Sequence, residues 1–440
     1  MPAADTSAQS TSSRVLTYAA YISFIPIGVA TVLLGPMLPT LSARWSLNYS
    51  QAGALFNAQY IASTCAVALS GLLAAKKGFR FPIKIGLVFM TFGLSCLLSQ
   101  SRVVGILSIS AYGSGLGLAV PAANLLVAAA NPQRRSATLS LLNFFWSVGA
   151  VACPFLVAAA AKTDRLPLFL ISVAALSLAV AIAIAIMPRR IVEPPSTHDQ
   201  EPTLPLISRN MRMFLVMAML FLLYVGTENA FGQWMASYAK SLGSLTLVMS
   251  LATPSFFYAS LMLGRWIAPL LLRRISDVRL VQTGAMLACI GMTGLILSHE
   301  ISGVISSACV AGFGLSSVYP ITISLLSREF QSARIGSVMF TLSNVGGGVL
   351  PWIVGVSSQR FGTIKAGLFV PLVGCICMLL LLLRDWSSSK SVALNIESSI
   401  RNAPAAQPTE KFVRADKVET LDREAESPST PLDPESRRVD

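Results

Sequence analysis

The sequence predicts an all-α polytopic membrane protein, with twelve transmembrane helices in two six-helix bundles and both termini cytoplasmic. Three observations carry that prediction. Hydrophobic residues make up 54% of the chain and charged residues only 12%, against roughly 25% charged in a soluble domain. The apolar residues are gathered into runs long enough to cross a bilayer, which takes about 20 residues of helix. The second half of the chain also repeats landmarks of the first, in order.

The runs follow one another with short breaks. Residues 15–39 form the first, and it lacks the charged start and small-residue cleavage site of a signal peptide, so it reads as a retained span. Spans at 51–75, 82–100, 103–128, 137–160 and 166–187 complete an N-terminal bundle, 15–187. A Pro-rich polar linker, 188–210, precedes spans at 211–238, 245–271, 279–298, 302–326, 335–357 and 362–383, the C-terminal bundle, 211–383. Residues 1–14 are a polar N-terminal tail. The stretch 384–440 interleaves charges with Ser and Pro and has few aromatics, a composition expected to stay disordered.

Loop charges orient the bundle. One set of loops holds Lys76, Lys77, Arg80, Lys84, Arg134, Arg135, Arg189, Arg190, Arg209, Arg212, Arg273, Arg274, Arg279, Arg328 and Arg334. The other set holds Arg44, Arg102, Lys162, Arg165, Lys240, Arg360 and Lys365. The positive-inside rule places the richer set, and both termini, in the cytoplasm. A plasma-membrane location follows, or the inner membrane in a bacterium. The net charge of +13 therefore belongs to membrane loops and forms no basic stripe for nucleic acid.

Other chemistries find little support. All seven cysteines fall within apolar runs, where a small buried thiol is the ordinary reading. The two histidines, His198 and His299, lie in a loop and at a span end, which leaves no histidine metal site or proton relay. Paired carboxylates and nucleophile–base sets in a cleft are missing as well, so neither an enzyme nor a cofactor is expected.

The repeat gives the architecture. Gly35 matches Gly226; Gly71 and Arg80 match Gly264 and Arg273; Gly113, Gly115 and Pro121 match Gly312, Gly314 and Pro320; Gly149 and Pro154 match Gly346 and Pro351. The displacement stays near about 195 residues, the mark of a parallel repeat about an axis along the membrane normal. Gly71-Leu-Leu-Ala-Ala-Lys-Lys-Gly-Phe-Arg80 resembles the loop signature of the major facilitator superfamily, with Ala75 where an acidic residue is usual, and Gly264–Arg273 is its degenerate second copy. That resemblance implies a conformational switch at the cytoplasmic helix ends, formed by Gly71, Lys76, Arg80, Gly264, Arg265 and Arg273. Gly115-Leu-Gly-Leu-Ala-Val-Pro-Ala-Ala-Asn124 and Tyr224-Val-Gly-Thr-Glu-Asn-Ala-Phe-Gly-Gln-Trp234 further resemble the fucose–galactose–glucose proton symporter family. Members of that family tend to carry an Asp in span 1 and a Glu in span 4. The matching positions here are Gly35 and Val120, which cannot hold a proton.

One acid remains. Glu228 is the carboxylate set deep within an apolar run, and an ionisable group in hydrocarbon ordinarily faces a cavity and marks a substrate or ion path. Tyr224, Glu228 and Phe231 share a helical face, and Asn229 and Gln233 form a neighbouring i, i+4 pair. Asn57, Asn124, Asn143, Trp146 and Asn344 are further polar or aromatic groups in other spans. Together they suit a small sugar, whose hydroxyls need amides and carboxylates and whose C–H faces need aromatics. Each amide could equally serve as interhelical glue. Tyr60, Phe256, Phe257 and Tyr258 read as ordinary packing. Arg265 is the competing partner for Glu228. Counted along the helices, Glu228 lies ~25 Å and Arg265 ~12 Å above the cytoplasmic end, which argues against a direct pair.

The expected function is transport of a hexose-like sugar by alternating access, with the protein working as a monomer in the lipid bilayer and Glu228 available for proton coupling. A drug or metabolite exporter of the same fold and a nutrient sensor acting through the C-terminal tail are the alternatives. The glycine clusters at Gly149 and Gly346–Gly348, each followed by a proline, serve either bending or close packing.

Overall fold

The computed structural model describes residues 3–131, 135–187, 211–243, 245–329 and 333–384. The expected linker 188–210 and the tail from 385 onward lie outside them, as do His198, Arg134, Arg189, Arg190 and Arg209. Every regular element within them is a helix. The first half contains α1 (Ala3–Val32), α2 (Leu34–Arg44), α3 (Tyr49–Lys77), α4 (Arg80–Cys96), α5 (Arg102–Ala130), α6 (Arg135–Lys162) and α7 (Leu166–Ile186). The second contains α8 (Met211–Ser241), α9 (Leu247–Leu271), α10 (Asp277–Leu297), α11 (Ile301–Leu315), α12 (Val318–Glu329), α13 (Ala333–Phe361) and α14 (Ile364–Gly367), then α15 over 369–384.

Eleven segments among the described residues are long and apolar enough to cross a membrane. The remaining expected span, 82–100, corresponds to α4. Its 17 residues rise about 26 Å, a little less than a hydrocarbon core of ~30 Å. Helix α1 already begins at Ala3, and its membrane-spanning part at Val15.

Two spans are interrupted, and proline explains where. The first breaks at Leu33 between α1 and α2, and the tenth at Ser316–Ser317 between α11 and α12. Pro36 and Pro320 lack the N–H that would bond the carbonyl four residues earlier, on Val32 and Ser316, and their rings crowd those carbonyls. Helices α6 and α13 run unbroken through Pro154 and Pro351.

Packing repeats between the halves as the sequence does. A side chain at Gly149 would strike the Ile25 carbonyl, as one at Gly346 would strike that of Leu222. Gly113 lies against Gln59 as Gly312 lies against Phe257, and Gly93 against Ser108 as Gly291 against Ser307. Small residues let these backbones approach where lipid supplies no hydrophobic drive for helix association. The outer surface is apolar: Phe92, Leu168, Ile171, Trp266, Ile290 and Leu380 are each more than half exposed, a surface suited to acyl chains.

The halves meet at the face away from the Lys/Arg-rich loops. There the Tyr49 backbone N–H donates to Gln359 Oε1 at 3.2 Å. A Cβ on Gly355 would lie 2.5 Å from the Tyr49 carbonyl oxygen and 3.0 Å from Gly53 Cα. A Cβ on Gly35 of α2 would lie 2.7 Å from Gln233 Cα on α8. Ser255 Oγ of α9 donates to the Val151 carbonyl of α6 at 2.9 Å, and Phe155 meets Phe256 edge-on at 5.6 Å. This closure seals one end of a central cavity.

Candidate functional site

Helices from both halves line the cavity, which has a volume of about 230 Å³. Helix α8 supplies Tyr224, Val225, Glu228 and Asn229, and α9 supplies Tyr258 and Arg265. Helix α12 brings Tyr319, and α13 brings Asn344. The first half contributes Thr31, Gln59, Tyr60, Ser63, Val120, Asn124, Asn143 and Trp146. Glu228 is 8% exposed and is the carboxylate in this lining.

Arg265 corrects the depth argument from the sequence. Its Nη2 lies 4.0 Å from Glu228 Oε2 and donates to Tyr224 Oη at 3.2 Å. Cα–Cβ bonds tilt toward a helix's own N-terminus. Helices α8 and α9 run antiparallel, so Glu228 leans toward the basic-loop face and Arg265 leans away from it. Two long side chains leaning toward each other close a gap that counting along Cα positions left open. Arg265, expected at the helix-end switch, thus lines the cavity. Its guanidinium also lies 5.6 Å from the Trp146 ring centroid, reaching across to the first half, and Tyr224 stacks on Tyr319 at 5.4 Å.

The amides divide into two kinds. Asn229 Oδ1 accepts from Tyr60 Oη at 2.7 Å and from Gln233 Nε2 at 3.0 Å, while its Nδ2 donates to the Val225 carbonyl. Its capacity is largely spent on protein, and it clasps α3 to α8. Asn344 reaches Ser63 Oγ across the halves at 3.4 Å. Asn124 and Asn143 instead donate Nδ2 to their own helices, to Val120 and Leu139 at 2.9 Å each. That leaves each amide oxygen as a cavity acceptor. Trp146 Nε1 donates to Thr31 Oγ1 at 3.3 Å, which ties the indole to α1 at the cavity wall.

Of the sequence-predicted residues, the structure gathers Tyr224, Glu228, Asn229, Asn124, Asn143, Trp146 and Asn344 at one cavity. Gln233 and Asn57 fall outside its lining. Gln233 is fully buried one turn closer to the sealed face, and Asn57 sits half-buried, 3.4 Å from where a Cβ on Gly348 would be. Tyr60 and Tyr258, read as packing residues, line the cavity, and so do Gln59, Thr31 and Ser63. Gln59, Ser63 and Val67 follow an i, i+4, i+8 stripe, a helical-face signal that was present in the sequence. Gly71, Lys76 and Arg273 are exposed at the basic-loop ends, Arg80 is half-buried there, and Gly264 packs against Ser316.

Two helical halves around a polar chamber, in an apolar shell, define a multi-pass membrane transporter. The chain belongs to the Major Facilitator Superfamily, whose family model matches residues 20–355. It is 25% identical over 400 residues to the glucose/galactose transporter of Brucella abortus biovar 1 (strain 9-941), covering 84% of this chain and 93% of that protein. Its fold matches the solved structure of the E. coli fucose:proton symporter with a TM-score of 0.60 at 19% identity, covering 84% of this chain and 98% of the other. A D-xylose–proton symporter matches with a TM-score of 0.68 at 16% identity, over 84% and 96% of the two chains.

Proposed function

We propose that this protein carries a small, hexose-like sugar across the membrane by alternating access, and that Glu228 couples the movement to protons. The observation that carries the reading is the cavity lining. One carboxylate, free amide oxygens on Asn124 and Asn143, and the faces of Trp146, Tyr60 and Tyr258 converge in an apolar shell. Hydroxyls and C–H faces of a pyranose need those groups. The names of the glucose/galactose relative and of the two sugar symporters agree with it.

Helices 15–187 and 211–383 act as the two rocking bodies in this reading, with Gly71, Lys76, Arg80, Gly264 and Arg273 at the face that opens and closes toward the cytoplasm. The cavity of a single chain is complete, which suits a monomer in the bilayer.

The test is uptake of a labelled hexose panel by the purified protein in liposomes, with and without a pH gradient. Accumulation driven by the gradient, converted to mere equilibration by Glu228→Gln, is the expected result. Gradient-driven accumulation by Glu228→Gln equal to that of the unsubstituted protein removes Glu228 from coupling.

A further inference from the structure

We propose that the cavity selects sugars bearing a carboxylate, such as a hexuronate, with the Arg265 guanidinium as the anchor; this deepens the sugar-transport reading and rests on it. The argument starts from hydrogen-bonding capacity. A guanidinium presents five N–H donors in a planar fork. Arg265 spends one on Tyr224 Oη, and its Nε is buried with no protein partner among the described residues. Glu228 Oε2, at 4.0 Å, lies beyond hydrogen-bond range. It balances the charge without filling the fork. The Trp146 ring, 5.6 Å from the guanidinium carbon, offers no lone-pair acceptor and so uses none of those N–H donors in a conventional hydrogen bond.

A neutral hexose can take single N–H bonds from this group on its hydroxyl oxygens but offers no pair of acceptors in one plane with matching charge. Its hydroxyls find acceptors on the amides, and a cation placed inside a membrane is costly to keep. A carboxylate is the ligand that matches the fork, accepting two parallel N–H bonds in one plane.

Glu228 then gains a second role. Beside its ionised form, a substrate carboxylate meets like-charge repulsion; a proton on Glu228 removes it. The ionisable groups around that acid are Tyr224 on its own helix, Arg265 and Tyr258 on α9, Tyr60 on α3 and Tyr319 on α12. One proton on Glu228 and one carboxylate on Arg265 would cross together with no net charge moved. A neutral sugar entering with one proton moves a full charge.

The experiment uses full-length protein in liposomes, given a labelled hexose and the hexuronate of the same configuration under a proton gradient. The hexuronate should be preferred. Arg265→Lys keeps the charge and loses the fork, and it should lower the hexuronate-to-hexose uptake ratio by about 10-fold or more. Hexose uptake with no hexuronate uptake, or a ratio that Arg265→Lys leaves unmoved, overturns the anchor while the sugar reading stands. Uptake of neither overturns both. If Arg265→Lys does not fold, the unsubstituted protein decides: hexuronate uptake should ignore an imposed membrane potential, and potential-driven hexuronate uptake overturns the proposal.

Discussion

Asn229 accepts two hydrogen bonds on one oxygen, and the shorter comes from Tyr60 of the opposite half at 2.7 Å. Such a bond contributes about 1 kcal/mol net. Because it joins the halves in the conformation sealed away from the basic loops, its loss should act on the conformational equilibrium more than on folding. Tyr60→Phe should shift that equilibrium about 5-fold toward the state open on the other face. Distances between spin labels placed across the sealed face would report the shift, and an unchanged distribution would count against the clasp. At this scale the sequence was partly readable. That Glu228, Asn124 and Trp146 line one cavity could be expected from residue type and period. Whether an amide faces ligand or clasps a neighbour could not, because that depends on which helix lies opposite. The pairing of Arg265 with Glu228 was hidden for a related reason. Depth along a helix axis ignores the tilt of each Cβ, and in an antiparallel pair the two tilts add.

Among the elements, the ends of α3 and α13 matter most for the seal. Their backbones touch at Gly53 and Gly355, where a Cβ on Gly355 would press on the Tyr49 carbonyl at 2.5 Å. Carbonyl and Cα cannot rotate away as a side-chain tip can. Gly355→Val should therefore hold the halves apart at that face. A cysteine at Ala52, which is 2% exposed beside that contact, in a background freed of native cysteines, should then react severalfold faster with a membrane-impermeant maleimide, and transport should fall. An unchanged labelling rate would show that the seal lies elsewhere. Element existence was legible from apolar run length, and the repeat from ordered glycines. The breaks at Leu33 and Ser316–Ser317 were not, since a sliding hydropathy window does not register a missing N–H. The glycine–proline pairs near Gly149 and Gly346 left bending and close packing both open. Their helices run through unbroken, and the glycines admit the backbones of α1 and α8.

For the molecule as a whole, orientation rests on the uneven loop charges. Counted by alternate spans, five loop clusters of Lys and Arg fall to one side, and the potential of the cytoplasmic leaflet favours them there. Green fluorescent protein fused after Arg384 should fluoresce in intact cells, as it does when it folds in the cytoplasm. A reporter active only outside the cytoplasm, placed in the same position, should stay silent. The reverse pattern would invert the topology and the direction assigned to the sealed face. Fold class was legible at this scale because bilayer thickness and backbone hydrogen bonding leave few solutions. The substrate was less so, because selectivity depends on how a handful of side chains from different helices converge.

The contact between Arg265 and Trp146 has a practical consequence. Trp146 belongs to the first half and Arg265 to the second, and their rings of charge and π-electrons lie 5.6 Å apart. Excitation redistributes electron density across an indole, so a cation held over its face displaces the colour of its emission. When the halves rock, that cation departs or returns. With the other five tryptophans replaced by phenylalanine, the molecule becomes its own optical gauge, reporting each turn of its cycle without an attached dye.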